Sequence, residues 1–399
     1  MNLFQIPGLT WRQGLAATAL SAAALLAACG GGGGGGSSGT EGALSVRLTD
    51  GQSCTYKQVF VTIEKVRVHR SASAEDTDSG WEELVLATPL RVDLMTLRNG
   101  VFENLGTLPL EAGDYSQVRL VLAENGGSAP YENQLTLEDD SVVALSTPSA
   151  QQSGLKLNVH MSIAAGETAE LVLDFDPCQS VVRRGNSGHY NLKPVVTGYF
   201  EEVSAIRGTA APGAFVSAQV AGGVLKSTVA DEAGTFVLWP MVAGSYDVVV
   251  HAPTLANAAL TGVVIPDDDT TIDVGALDVP ANTGSVEIPG NVAANVDLVA
   301  VVNATQAVGG TTIEVATQPL GVTAGGSTAY SFTLAAGAPV STPWVAGTAG
   351  YVFTAGAPNA TADYTIGAAA TGFASQSTAV TGLAAGAVAS DVNFTFTAP

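Results

Sequence analysis

Apolar and polar residues alternate along much of the first half of the chain. Over residues 155–163, apolar side chains occupy every odd position and polar side chains occupy every even position. A period of two is typical of a β-strand with one buried face, and it does not fit the spacing of a helix. Shorter runs with the same alternation cover residues 44–48, 118–122 and 171–175. We therefore expect a chain built from strands.

One run changes the phase of its alternation. Within residues 59–69 the apolar positions shift between Ile63 and Val66, which predicts a β-bulge or a bend at that point. Turn-forming pairs such as Asn99-Gly100 separate the apolar runs, and no capped amphipathic helix interrupts them. Short strands joined by turns favour an all-β fold of antiparallel β-sandwich domains in series, transthyretin-like or immunoglobulin-like.

The composition fits packed domains and excludes two classes of partner. Of the 399 residues, 46% are hydrophobic, which is ample for buried cores. The chain carries 36 acidic and 15 basic residues, so its formal net charge is -21. Nucleic acids and anionic lipid headgroups bind clusters of Lys and Arg, so we predict neither as a partner. Every Lys and Arg lies at or before Lys226.

The chain begins with the features of an export signal. One basic residue, Arg12, precedes the uncharged run Gly14–Ala28, which is shorter than the roughly 20 residues of a membrane-spanning helix. The segment Leu26–Cys29 resembles the bacterial lipoprotein lipobox, in which the peptide is cleaved before a cysteine that is then acylated. We predict a lipoprotein signal peptide over residues 1–28 and lipid attachment at Cys29. A plain secretory signal with a chance cysteine is the alternative.

The residues after Cys29 predict a tether and a location. Segment 29–42 contains the unbroken run Gly30–Gly36, and a Gly/Ser-rich sequence of this kind behaves as a flexible coil. Acyl chains such as palmitate would hold the acylated amino terminus in a membrane. In lipoproteins of this type, Asp after the cysteine tends to mark retention in the inner membrane, whereas this chain has Gly30. We therefore predict an outer-membrane lipoprotein of the cell envelope, facing the periplasm or the exterior.

The two remaining cysteines, Cys54 and Cys178, predict a disulfide. An exported protein enters an oxidising compartment, where a pair of cysteines tends to be joined. A bridge between Cys54 and Cys178 would close a long loop of the chain. The chain-entropy account assigns such a bridge about 4–5 kcal/mol of stabilisation. Two free buried thiols are the alternative.

Few residues suggest catalysis or the binding of a metal or cofactor. The four histidines are far apart and match no zinc-binding spacing, and the glycine run lacks the Lys and Ser/Thr of a phosphate-binding loop. We predict no catalytic residue, no cofactor and no metal site. Asp174 and Asp176 share one strand face and are the weak calcium candidates, because carboxylate oxygens are ligands of Ca²⁺. A structural role beside Cys178 is the alternative for both.

Tryptophan is the residue type that could bind a glycan. Trp81 follows the polar stretch 71–80, so its flat ring is a candidate surface for stacking on sugar rings. Trp239 lies inside a strand pattern, where packing in a core is expected. A carbohydrate-binding envelope protein is therefore the alternative function, and an enzyme whose site is not visible in the sequence is a further one.

Six stretches of the first half of the chain carry a resemblance to a known family. They are Ser45–Asp50, Val59–His69, Ser153–Leu157, Leu173–Asp176, Ser180–Val182 and Tyr190–Val195. They occur in order over most of the segment Leu44–Thr197, which through them resembles a bacterial lipoprotein family catalogued as domain of unknown function 4382. The resemblance implies a β-rich lipoprotein domain and brings no activity with it.

Residues 206–252 resemble a carboxypeptidase-regulatory-like, or transthyretin-like, β-sandwich module. The turn Asp231–Phe236 and the strand start Ala243–Tyr246 carry this likeness. Such modules are usually spacers or carbohydrate-binding-like folds, and the fold alone does not establish sugar binding.

The sequence as a whole predicts three domains after the tether. They are a β-sandwich over residues 43–200 that resembles domain of unknown function 4382, a carboxypeptidase-regulatory-like sandwich over 205–281, and an Ala/Gly/Thr-rich β-domain over 284–399. The expected function is non-enzymatic: a structural, adhesive or scaffold role at the envelope. The expected partners are the membrane, through the acylated terminus, and a glycan or another envelope protein.

Overall fold

The computed structural model describes the chain from residue 41 onwards, with short gaps. The described ranges are residues 41–50, 56–147, 153–200, 203–267, 269–282, 284–354 and 361–398. Strands dominate these ranges, which confirms the prediction of an all-β fold. Among the residues in these ranges, no helix is long and apolar enough to span a bilayer.

The first half contains twelve strands and two short helical turns. The strands are β1 (Glu41–Asp50), β2 (Gln58–His69), β3 (Glu82–Asp93), β4 (Glu103–Glu111), β5 (Gly113–Leu122), β6 (Gln134–Thr136), β7 (Val142–Ser146), β8 (Leu155–Ile163), β9 (Thr168–Asp176), β10 (Val181–Arg184), β11 (Tyr190–Leu192) and β12 (Val195–Phe200). The helical turns are a 3-10 turn at Leu94–Thr96 and α1 (Pro177–Ser180).

Sixteen further strands complete the described chain. They are β13 (Ser204–Thr209), β14 (Phe215–Val220), β15 (Gly223–Val229), β16 (Thr235–Met241), β17 (Gly244–His251), β18 (Ala258–Ile265), β19 (Thr271–Asp278), β20 (Ser285–Ala294), β21 (Leu298–Val308), β22 (Thr311–Val322), β23 (Gly326–Ala335), β24 (Val340–Pro343), β25 (Gly350–Val352), β26 (Ala362–Ala370), β27 (Gln376–Leu383) and β28 (Phe394–Phe396).

Alternation in the sequence becomes alternation in burial. Along β8, buried and exposed residues strictly alternate from Leu155 to Ile163, as a half-buried strand requires. The predicted phase shift in β2 is also confirmed, because its pairing with β3 and β5 slips between Ile63 and Lys65. The bulge lets both halves of β2 direct their apolar side chains into the same core.

The strands form five sheets with mixed pairing. The orders are β12-β9-β1-β4, then β27-β26-β21-β22-β10-β11-β7-β6-β2-β5-β8 with β3 also paired to β2, then β16-β13-β19-β25, then β15-β14-β17-β18-β24, and finally β23-β20-β28. Most pairs of described strands are antiparallel, but seven are parallel: β1 with β9, β7 with β11, β10 with β22, β13 with β19, β18 with β24, β19 with β25 and β20 with β28. The antiparallel prediction therefore holds for most pairs and not for these.

Three hydrophobic cores follow one another along the chain. We name the first lobe (residues 41–200), the middle lobe (203–282) and the C-terminal lobe (284–398) after these cores. One segment of the C-terminal lobe returns to the middle lobe, where Val340 and Tyr351 join the core and β24 and β25 extend the two sheets. The domain boundaries drawn from the sequence stay a prediction.

Candidate functional site

Strand β9 directs two carboxylates away from the first core. Leu171, Leu173 and Phe175 point into that core, so Asp174 and Asp176 lie on the opposite face of the strand. Both aspartates are nevertheless buried, with 6% and 7% of their surface exposed. Buried carboxylates need a charge partner or hydrogen bonds, so the surroundings of this face determine what it does.

The partner of Asp174 comes from the middle lobe. Lys226 lies on β15, an edge strand of its sheet, opposite Ala218. Only 1% of its surface is exposed, and its Nζ contacts Oδ2 of Asp174 directly. Asp174 Oδ1 has no hydrogen-bond partner among the described residues. Burial raises the pKa of Asp174, although the ammonium of Lys226 opposes that change.

Asp176 occupies a different environment two residues further on. Its Oδ1 accepts a hydrogen bond from the backbone N–H of Gln179 at 2.9 Å, and its Oδ2 accepts one from Gln179 Nε2 at 2.6 Å. The carboxylate thereby caps the amino-terminal end of α1. Burial raises the pKa of Asp176 to about 7; the negative charge of Asp174 adds to this effect, and the Gln179 bonds and Lys226 oppose it.

An aromatic ring adjoins the lysine–aspartate contact. Tyr199 lies on β12, two residues after Thr197, which pairs directly with Asp174. The Nζ of Lys226 is 5.6 Å from the centroid of the Tyr199 ring. Burial, with the charge of Asp174 as a second cause, raises the pKa of the Tyr199 hydroxyl. The ammonium therefore lies between a carboxylate and a π face, both of which attract a cation.

Hydrogen bonds beside this contact join the same two lobes. Asn99 Oδ1 accepts bonds from the Thr228 hydroxyl at 2.8 Å and from the Val237 backbone N–H at 3.0 Å, while its Nδ2 donates to the Val229 carbonyl at 2.8 Å. Asn99 has a φ of 59°, a turn conformation that asparagine tolerates better than most residues. We name this set of contacts, with Lys226 and Asp174, the first junction.

The sequence did not single out Lys226 as a site residue. It appeared only as the last basic residue of the chain. A usable signal was present, because Lys226 lies in a strand between the apolar residues Leu225 and Val229 in a region almost free of positive charge. The sequence alone does not reveal the partner, since Asp174 is 52 residues away.

The predicted cysteine sites fall mostly outside the described chain. Cys29 and Cys54 both lie outside the described residues. Cys178 is described, and it is buried in α1, immediately after Asp176 and Pro177. Lipidation at Cys29 and pairing of Cys54 with Cys178 therefore stay predictions.

Trp81 is engaged by side chains of its own lobe. Its Nε1 donates a hydrogen bond to the Glu75 carbonyl at 2.9 Å. The guanidinium carbons of Arg67 and Arg119 lie 4.5 and 4.7 Å from the centroid of the indole ring, and the His69 ring lies 5.0 Å from it. These contacts favour a structural role for Trp81, and glycan binding through it stays a prediction.

Acidic side chains and one cavity are the remaining candidates for a binding site in the described ranges. Within the described ranges, no three or more His, Cys, Asp or Glu side chains are arranged to hold a metal ion. Asp174, one of the two calcium candidates, is paired with an ammonium instead. The first lobe has a cavity of about 510 Å³, lined by Glu64, Pro89, Leu122, Ala123, Glu124 and Glu132. Its lining supplies negative charge and contains no histidine, cysteine or hydroxyl side chain.

Two solved structures show a remote likeness. One is the Bacillus anthracis TIE protein, at 11% identity and a TM-score of 0.17, over 90% of this chain and 50% of that chain. The other is a Streptococcal ancillary pilin, at 9% identity and a TM-score of 0.17, over 89% of this chain and 99% of that chain. This chain thus spans half the length of the first, and scores this low support no functional argument.

A family comparison is more informative for the first lobe. No curated protein matches the chain. The family model described as "Domain of unknown function (DUF4382)" matches residues 41–194. This range contains the first core together with Asp174 and Asp176, and it excludes Lys226. The match supports the resemblance drawn from the sequence, and residues 41–194 are accordingly similar to the DUF4382 family.

Proposed function

We propose that this protein is a non-enzymatic, lipid-anchored component of the bacterial outer membrane with a structural or adhesive role. The observation that supports this most is the use of two of its buried charged groups. Lys226 and Asp174 join two lobes to each other instead of lining an open cavity. A buried contact of this kind fixes the two lobes relative to each other, which suits a structural role.

The anchor in this proposal rests on the sequence. Segment Leu26–Cys29 resembles a lipobox, and the glycine run Gly30–Gly36 would separate the acylated terminus from the first lobe. A flexible coil of this length spans roughly 20 Å, enough to lift a folded body off a bilayer surface. The net charge of -21 argues for neutral or basic partners rather than anionic surfaces.

Metabolic labelling tests the anchor. Cells that express the full chain are grown with an alkyne analogue of palmitate, and the protein is then isolated and probed for the label. We expect label on the natural chain and on Cys54→Ser, which removes a different cysteine, and none on Cys29→Ser. An unlabelled natural chain, or label that survives in Cys29→Ser, would contradict the proposal.

Protease treatment of intact cells tests the role. The protease must cut after small apolar residues, because residues 227–399 contain no Lys or Arg for trypsin. Cleavage on intact cells supports an adhesive role at the exterior, and protection until the outer membrane is opened supports a periplasmic scaffold. Release of the protein without detergent in either case would contradict membrane attachment.

A further inference from the structure

The contact between Lys226 and Asp174 brings a nucleophile and an electrophile together. An amine is a nucleophile once it loses its proton, and the carbonyl carbon of a carboxyl group is an electrophile once its oxygen is protonated. The two side chains touch, and both are almost fully buried. They reach this position from strands of two different lobes.

We propose that Lys226 and Asp174 condense to an amide, which makes a covalent crosslink between the first and the middle lobe. The new bond joins Nζ of Lys226 to Cγ of Asp174, and one water molecule is lost. This modification goes beyond the proposed function, because it concerns the chemistry of the fold and not the anchor or the partner.

The step balances without any co-reactant. A proton first moves from the ammonium to the carboxylate within the contact, which gives a neutral amine and a carboxylic acid. The lone pair of Nζ then attacks Cγ, and the C–O bond to the protonated oxygen breaks. A second proton passes from nitrogen to the departing hydroxyl, which leaves as water. No atom is oxidised or reduced.

The surroundings favour both stages of this reaction. Burial favours the neutral forms of an amine and a carboxyl group, and the raised pKa of Asp174 agrees with this. Fixed contact between the reacting groups removes most of the entropic barrier to bond formation. Exclusion of solvent also protects the finished amide, since hydrolysis needs water at the same carbon.

Asp176 also favours the condensation of Lys226 with Asp174. Burial raises the pKa of Asp176 to about 7, so its carboxyl is about half protonated at neutral pH and adds less negative charge to the site than an exposed aspartate would. Asp174 Oδ1 has no hydrogen-bond partner among the described residues, so no donor at that oxygen favours the charged form of the carboxyl group.

Exposed pairs of the same residue types provide the natural control. Lys57 Nζ lies 2.8 Å from Asp140 Oδ1, but their side chains are 38% and 81% exposed. Water solvates both groups there and keeps them charged, so the lysine offers no neutral amine for attack. We expect no crosslink at that pair, although its geometry resembles that of the buried pair.

Tryptic digestion of the full chain, after disulfide reduction, tests the proposal. Trypsin cannot cut after an acylated lysine, and residues 227–399 contain no other cleavage site. The crosslinked chain should therefore yield fragment 208–399 joined to fragment 157–183, lighter than the sum of the two by one water. Without the crosslink, fragments 157–183, 208–226 and 227–399 appear separately.

Variants assign the crosslink to the two residues. Lys226→Arg keeps the positive charge, but a guanidinium is a poor nucleophile, so we expect complete loss of the joined fragment. Asp174→Ala should abolish it as well, while Lys57→Arg should leave it unchanged. The digest of the natural chain decides the matter even if a variant fails to fold. Separate fragments of full mass from the natural chain, or a joined fragment that persists in Lys226→Arg, would overturn the proposal.

Discussion

The junction of the first with the middle lobe differs in its polar chemistry from that of the middle with the C-terminal lobe. The first and C-terminal lobes also meet, where β10 pairs with β22. The first junction buries an ammonium and a carboxylate, Lys226 and Asp174. The second junction, between the middle and C-terminal lobes, buries neutral amides and a phenol: Asn257 Nδ2 donates to Gln306 Oε1 at 2.7 Å and to the Tyr364 hydroxyl at 3.2 Å. The first junction thus contains a buried ion pair beside the neutral bonds of Asn99, whereas the buried bonds of Asn257 in the second junction join uncharged groups. The second junction also has one partly buried charged contact, in which the Thr311 hydroxyl donates to Asp247 Oδ2 at 2.7 Å.

Another contact of the second junction also involves no charged group. Gln219 donates from Nε2 to the Glu314 carbonyl at 2.7 Å and accepts from the Glu314 backbone N–H at 2.8 Å. Both bonds involve the backbone of Glu314, so its charge plays no part in them. Gln219 therefore binds the edge of the next lobe much as a neighbouring strand would.

The difference predicts how each junction fails. A buried ion that loses its partner carries the full cost of desolvation, whereas a neutral group that loses a hydrogen bond carries a smaller one. Charged groups also respond to pH when their pKa lies near neutrality. The first junction should therefore be the more sensitive to substitution.

The largest expected effect is that of Lys226→Ala. It leaves Asp174 as a buried carboxyl without its cation, and loss of one partner of a buried pair typically costs about 3–5 kcal/mol in the free energy of unfolding. Urea denaturation measures this change. The double variant Lys226→Met with Asp174→Leu removes both charges together with the proposed crosslink, so the part of the loss that it regains measures the cost of the unpaired buried charge alone. A single-variant loss below about 1 kcal/mol would contradict the importance of this pair.

Asp176 should give the first junction a pH dependence. Its pKa is about 7 in the folded protein, against 3.8 for the free side chain, so the folded state holds the proton more tightly. The stabilisation is therefore complete below about pH 4 and is lost as the pH rises through about 7.

Asp176→Asn tests this sign. The amide does not ionise, so the variant should lack the decline in stability, which amounts to as much as about 4 kcal/mol over that range. Denaturant midpoints measured from acid to neutral pH for both proteins provide the comparison. Parallel curves would show that Asp176 does not titrate in this window.

His251 should give the stability of the protein the opposite pH dependence. It lies on the face of β17 that meets the second junction. It stacks on Phe215 at 5.1 Å between ring centroids, and it shares a strand face with Val249, which packs in the C-terminal core. Burial lowers the pKa of His251 from 6.5 to about 4. The folded state thus favours the neutral ring, and this stabilisation, present above about pH 6.5, is lost as the pH falls through about 4.

His251→Phe keeps the stacking and removes the titration. We expect the variant to lose less stability than the natural chain on acidification, by about 2 kcal/mol. The same denaturation series measures it. With Asp176→Asn as the companion, the two variants should change the slope of the pH profile in opposite directions over the same range, about pH 4 to 7. Slope changes of the same sign would contradict the opposite pKa shifts of the two residues.

Asn257→Ala probes the neutral network of the second junction. It removes both hydrogen bonds of the side chain and leaves Gln306 Oε1 without that donor, at a cost of about 1–3 kcal/mol. Asn158→Ala, at an exposed asparagine of β8, is the matched control and should change stability far less. Thermal unfolding of both variants makes the comparison. A loss for Asn257→Ala as large as that for Lys226→Ala would erase the distinction between the junctions.

The contrast between junctions also marks what the sequence could predict. The alternation in residues 155–163 and the bulge after Ile63 are local patterns, and both reappear in the strands. The contact of Lys226 with Asp174 depends on how two lobes are placed, which no local period encodes. The return of residues 340–353 to the middle lobe is non-local for the same reason.

Candidate sites were predictable only where a motif exists. The lipobox at Leu26–Cys29 has one, and it lies outside the described residues. Asp174 and Asp176 were recognised as a carboxylate pair, but a strand pattern does not show whether a cation or a lysine faces them. The cation that does so is the lysine of the neighbouring lobe.

The smallest expected effect is that of Lys57→Ala. This lysine forms an ion pair with Asp140 at the same kind of distance as many buried pairs, but both side chains are exposed. The Asp140 carboxylate raises the pKa of Lys57, mainly through their hydrogen bond, and water and salt screen the attraction. We expect an unfolding midpoint within experimental error of that of the natural chain. A destabilisation comparable to that of Lys226→Ala would mean that burial does not account for the difference between these two ion pairs. The comparison between them would then have to rest on geometry alone.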